Sequence, residues 1–150
     1  MKVDNLIVVK SKKLALRVMK LVQYLTQHKS PYFIIDQIGR SGTSIGANVI
    51  EAEHAISKKE FLMKMYIAYK ECNETLYWLD LLQEARYISE ESYQSLSTDL
   101  RELERILASI TKTTAESKKI NWRRYIICAP PPPLLTPHSS LLTWRYMPFA

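Results

Sequence analysis

The sequence predicts an all-α fold: an antiparallel up-down four-helix bundle followed by a proline-rich tail. Three observations carry this expectation. Four stretches place apolar residues at steps of three and four, the spacing that lines one face of a helix. The junctions between them are short and led by serines, so successive helices should run antiparallel. Finally, 150 residues hold only three glycines, which favours long helices over strands and turns. The composition, 47% hydrophobic and 24% charged, is that of an ordinary globular domain. Residues 1–118 form the expected bundle and 119–150 the tail.

Helix one is expected from about Asp4 to His28. Its inner seam is Ile7, Ser11, Leu14, Val18, Leu21 and Leu25. A second stripe, Lys10, Lys13, Arg17 and Lys20, puts four cations on one face, where like charges repel. Two readings are open: a solvated face, or a face held toward anions, whether phosphates or an acidic patch on a neighbouring subunit.

Ser30-Pro31 matches a helix start, with a capping Ser and Pro at the first helical position. Helix two should then run to about Ile56. Within it, QIGRSGTSIGANVIEA (37–52) holds Gly39, Gly42 and Gly46. Each Gly costs a helix roughly 1 kcal/mol relative to Ala, so three of them suggest a helix that needs close neighbours. Ile34, Ile38, Gly42, Ile45, Val49, Ala52 and Ile56 make its seam. Beside the seam runs a polar stripe of Gln37, Ser41, Ser44, Asn48 and Glu51, with Arg40 at its edge.

Ser57-Lys58-Lys59-Glu60 is a capping box that opens helix three. The seam there is Phe61, Met65, Ala68, Cys72, Thr75, Leu79 and Leu82, widened by Leu62, Tyr66, Tyr69, Leu76 and Tyr77. Cys72 therefore reads as a small core residue. Ser89, followed by Glu90 and Glu91, caps helix four. Its seam is Tyr93, Leu96, Leu100, Leu103, Leu107 and Ile110, and it fades near Ala115 to Lys119. Beyond Ile120 the helical period stops, and six of the seven prolines follow. That composition favours an extended, mobile tail. The alternative is an arm that docks Trp122, Tyr125 or Trp144 into a partner.

The chemistry to weigh is sparse. Glu51 and His54 have the Glu-x-x-His spacing of di-metal carboxylate bundles, but such sites need a second such pair and two further carboxylates on facing helices, and neither His28 nor His138 has that spacing. No nucleophile signature and no phosphate-binding glycine loop is present. We therefore expect no enzyme, no metal and no cofactor. Leu6 to Val9 is too short for a signal-peptide core and runs into Lys10, Lys12 and Lys13. No stretch reaches the roughly 20 apolar residues of a membrane span. A cytoplasmic protein without a membrane partner is expected.

Arg40 and Glu74 lie equally far from the turn at Ser57. They should meet at one height, so an Arg40–Glu74 pair near the bundle interior is expected. Ser44, Asn48 and Glu51 would extend this network toward helix three.

QIGRSGTSIGANVIEA followed by SKKEFLMKMYIAYKECNETLYWLDLL resembles a bacterial four-helix bundle family. Its members include proteins encoded by intervening sequences in 23S rRNA genes and, more distantly, the accessory variability proteins of diversity-generating retroelements. Gln37, Ile38, Arg40, Ser41, Ser44, Ile45, Asn48, Val49 and Glu51 match the first family motif. Glu60, Phe61, Ile67, Ala68, Glu74 and Leu79 match the second. Gly39 stands where Arg is frequent, Gly46 where Pro is common and Ala52 where Gly is common.

The resemblance covers about residues 5–115. It implies a non-catalytic bundle that assembles into a ring, commonly a pentamer. In the retroelement branch it also implies a basic surface for nucleic acid and a reverse transcriptase partner. On that basis Lys10, Lys12, Lys13, Arg17, Lys20 and Arg40 are the expected contacts to RNA or DNA phosphates. A scaffold for a polypeptide partner is the competing expectation.

Overall fold

The computed structural model describes residues 5–116. Four helices follow one another: α1 (Leu6–Gln27), α2 (Tyr32–Glu53), α3 (Lys58–Glu84) and α4 (Glu90–Glu116). Neighbouring helices pack α1 to α2, α2 to α3, α3 to α4 and α1 to α4, and the diagonal pairs share only the side chains of the common core. This is the expected up-down bundle. The expected tail, with Trp122, Tyr125, Cys128 and Trp144, lies outside the described residues.

The seams read from the sequence point inward, except that Ile56, expected to end the seam of helix two, lies past α2 and is 96% exposed. Ile7, Leu14, Val18 and Leu25 from α1 meet Ile38, Ile45 and Val49 from α2, Met65, Cys72 and Leu79 from α3, and Leu100, Leu103 and Leu107 from α4. The wide apolar face of α3 divides. Leu62 and Leu76 are buried, whereas Tyr66 and Tyr77 are more than half exposed.

Gly39 and Gly42 let α2 approach α1. A Cβ at Gly42 would stand 2.7 Å from Val18 Cγ2, and one at Gly39 would stand 3.2 Å from Val22 Cγ2. At Gly46 the nearest atom would be the Ser11 carbonyl oxygen at 3.6 Å, an ordinary contact.

Two of the three expected helix starts form as read. Ser57 Oγ accepts from the Glu60 N–H at 3.1 Å, and the Glu60 carboxylate accepts from the Ile56 N–H at 3.0 Å. Ser89 Oγ accepts from the Ser92 N–H at 3.2 Å. The Ser30 cap does not form. Pro31 occupies the cap position of α2, and no side chain caps that end. The cause lies in how α1 stops. Lys29 turns left-handed at φ 54°, and the Ser30 N–H bonds back to the Leu25 carbonyl at 3.0 Å, a Schellman-type closure. Ser30 belongs to the end of α1 and is folded inward.

Helix α2 also ends three residues before the expected Ile56. His54 closes it, with Nδ1 donating to the Ile50 carbonyl at 2.9 Å.

Candidate nucleic-acid interface

The cationic stripe of α1 faces α4, and α4 answers it with acids and a hydroxyl one antiparallel step at a time. Lys10 Nζ lies 2.8 Å from Glu102 Oε2. Arg17 pairs with Asp99, and its two terminal nitrogens donate to the Ser95 carbonyl at 3.0 Å and to Ser95 Oγ at 2.7 Å. Lys13 reaches the same Asp99 only at 3.9 Å and remains 70% exposed. Lys12 and Lys20 are exposed and form no ion pair among the described residues.

The stripe thus divides into two functions. Lys10 and Arg17, expected as phosphate contacts, fasten the α1–α4 seam in this structure. The acidic patch foreseen on another subunit is on the same chain. Lys12 and Lys20 keep ammonium groups without an ion pair among the described residues, and Lys13 is held only by its long pair to Asp99. The sequence held a signal for this division: Ser95, Asp99 and Glu102 repeat the four-three spacing of the α1 stripe.

The polar stripe of α2 opens on a cleft against α3. Gln37, Arg40, Ser41, Ser44, Glu71 and Glu74 line a hollow of about 170 Å³. The predicted height match between Arg40 and Glu74 holds, but the buried ion pair does not. The Arg40 side chain is 75% exposed and sits 3.8 Å from Asp36, one turn back on its own helix. Glu74 instead accepts from the Trp78 indole N–H at 3.2 Å. Both residues border solvent, so neither suffers the desolvation that would compel them to pair.

The remaining network members form local bonds. Asn48 is buried and donates to the Ser44 carbonyl at 2.9 Å and to Ser44 Oγ at 3.1 Å. Glu51 reaches α3 as expected, through an ion pair with Lys64. A contact that sequence reasoning missed lies deeper: the Thr75 hydroxyl hydrogen-bonds Ser41 Oγ at 3.0 Å and donates to the Glu71 carbonyl at 2.7 Å. Glu71 has its carboxyl pushed up by burial and by neighbouring Glu74, partly offset by Lys70, Arg40 and a hydrogen bond to Ser44.

The remaining chemistry-bearing groups are occupied by structure. Burial pushes the Cys72 thiol up to about 12, and its Sγ donates to the Leu100 carbonyl at 3.4 Å. A thiol held protonated is a poor nucleophile. Of the Glu51–His54 pair, Glu51 is engaged by Lys64 and His54 caps α2. Among the described residues no group of three or more His, Cys, Asp or Glu is placed to hold a metal ion, and no helix is long and apolar enough to cross a membrane.

A model of the 23S rRNA-intervening sequence protein family matches residues 4–109. The chain belongs to this family. It is also similar to a crystal structure from Bacteroides thetaiotaomicron, described as a protein with unknown function from the S23 ribosomal protein family. The two are 44% identical, with a TM-score of 0.70 over 71% of this chain and 99% of that one. No curated protein matches.

The motif residues that mark the 23S rRNA-intervening sequence family here divide by role. Ile38, Ile45 and Val49 fill the core, Ser41 and Asn48 make buried polar contacts, and Ser44 and Glu51 tie the α2–α3 border. Arg40 is exposed and sits 3.8 Å from Asp36 on its own helix.

Proposed function

We propose that this protein is a non-catalytic, cytoplasmic, homo-oligomeric nucleic-acid-binding accessory protein that contacts RNA through phosphates. One observation carries the reading: after the α1–α4 seam has consumed Lys10 and Arg17, the exposed cations Lys12, Lys13, Lys20 and Arg40 remain on the α1–α2 half of the bundle. Residues 5–56 hold seven Lys/Arg and three Asp/Glu, whereas residues 57–116 hold eight and eleven. The positive excess therefore lies on the half that bears these four side chains. Contacts of this kind position a strand without reading its sequence.

Assembly is supported by two apolar patches on non-adjacent helices. Val9, Leu16 and Met19 are exposed on α1, and Met63, Tyr66 and Tyr77 on α3. A ring joins two different surfaces of each subunit, and α1 and α3 provide them. The resemblance offers a pentamer as its size. Because apolar side chains interleave with the cations on α1, a polypeptide ligand is the second reading. A reverse transcriptase is the partner that the retroelement branch suggests.

The test is the salt dependence of binding to labelled single-stranded RNA. Four phosphate contacts give a log K against log salt slope of about −3, and each lost contact lowers its magnitude by about 0.7. Reversal of Lys12, Lys13 and Lys20 to Glu should flatten the slope by about 2 and weaken binding to every sequence alike. An unchanged affinity in that triple variant would remove the assignment. A purified protein that holds no nucleic acid but retains a single polypeptide would select the second reading.

A further inference from the structure

Both turns at one end of the bundle close in the same way, and against the preference of their residues. After α1, Lys29 adopts φ 54° and the Ser30 N–H bonds back to the Leu25 carbonyl at 3.0 Å. After α3, Arg86 adopts φ 61° and the Tyr87 N–H bonds back to the Leu82 carbonyl at 2.9 Å. The left-handed position of such a closure favours glycine, because a Cβ there crowds the following carbonyl. Among the described residues these are the ones with positive φ, and both are cations. Strain kept at an exposed position points to a use for the side chain.

Lys29 and Arg86 are exposed and form no ion pair among the described residues. Exposed rings follow each of them in the chain. Tyr32 and Phe33 open α2 at 79% and 63% exposure, and Tyr87 is 38% exposed. Tyr24, by contrast, is already stacked on the His28 ring, with centroids 4.0 Å apart. Tyr24 and Ile88 line one groove, so the two turns are neighbours. Glu84 and Glu91 also border this end, which makes the attraction for anions local to the two cations rather than a broad field.

We propose that this end of the bundle holds an unpaired stretch of RNA, which rests on the nucleic-acid reading above. Lys29 and Arg86 meet phosphates, and bases stack on Tyr32, Phe33 and Tyr87. An unpaired strand repeats an anion and a flat ring at every unit, the two features that each turn offers. An acidic peptide would satisfy the cations and leave the rings in water.

The test measures Tm and RNA binding together, on the full chain, with a labelled single-stranded oligonucleotide and the duplex of the same sequence. Lys29→Gly with Arg86→Gly should raise Tm by a few degrees, since glycine relieves both left-handed positions. The same double variant should flatten the log K against log salt slope for the single strand by about 1.4. A purely structural pair of turns would gain stability without losing RNA. Tyr32→Ala should weaken single-strand binding roughly tenfold through lost stacking and leave duplex binding unchanged. If the wild type binds RNA and these variants bind both oligonucleotides as it does, the inference falls alone. A double variant with unchanged or lower Tm would also overturn it, because no strain would then be held at the turns. If the wild type binds neither oligonucleotide, the nucleic-acid reading falls with it.

Discussion

Gly42 and Gly46 sit about one turn apart on α2 and should respond oppositely to the same methyl group. At Gly42 a Cβ collides with Val18, which is fully buried and β-branched, and so has no free rotamer to yield into. Overpacking of this kind costs about 1–3 kcal/mol, against roughly 1 kcal/mol gained in helix propensity. Gly42→Ala should therefore lose about 0–2 kcal/mol in urea unfolding. At Gly46 the new methyl meets Ser11 at ordinary contact distance, so Gly46→Ala should gain about 0.5–1 kcal/mol. The sequence showed that this helix wants close neighbours. It did not show which glycines have them, because that depends on whether Val18 or Ser11 stands opposite, and only the α1–α2 register decides it. Ser30 was misread for a related reason. Ser-Pro has the chemistry of a helix start, but the left-handed turn that claims Ser30 is made by Lys29, where a glycine would have announced it.

Between elements, α1 and α4 are the least closely apposed of the four neighbouring helix pairs, and polar contacts supplement their apolar packing. Arg17, partly buried and bonded to Asp99 and twice to Ser95, is the best-held member of this seam. Arg17→Ala should cost about 1–2 kcal/mol in thermal or urea unfolding, the scale of hydrogen bonds to a charged group. Lys20→Ala, in contrast, should stay within about 0.5 kcal/mol. Equal losses at both positions would refute the division of the stripe. The stripe itself was legible from spacing. Its neutralisation was not, because a periodic face does not reveal which neighbour it meets. The matching Ser95, Asp99 and Glu102 became informative only once α1 and α4 were seen to be adjacent. Arg40 and Glu74 show the converse: counting residues from the turn gave their height correctly, but their exposure to water, which sequence spacing does not determine, removed the reason to pair.

At the scale of the whole molecule, the charge is polarised. The α1–α2 half is positive and the α3–α4 half negative, while apolar patches lie on α1 and α3, which stand diagonally across the core. In the ring proposed above, identical bundles would join unlike faces and still leave cations for RNA. The four-helix architecture was readable from periodicity and caps because each local signal agreed with the fold. The proposed assembly rests on the family resemblance and not on periodicity, because surfaces that meet in an oligomer need leave no period of their own. Native mass spectrometry of the purified full chain, before and after nuclease treatment, tests the central claim most directly. The account predicts a species at several times the 17.5 kDa protomer mass, carrying extra mass that ribonuclease removes. A bare 17.5 kDa monomer, unchanged by nuclease, would contradict it.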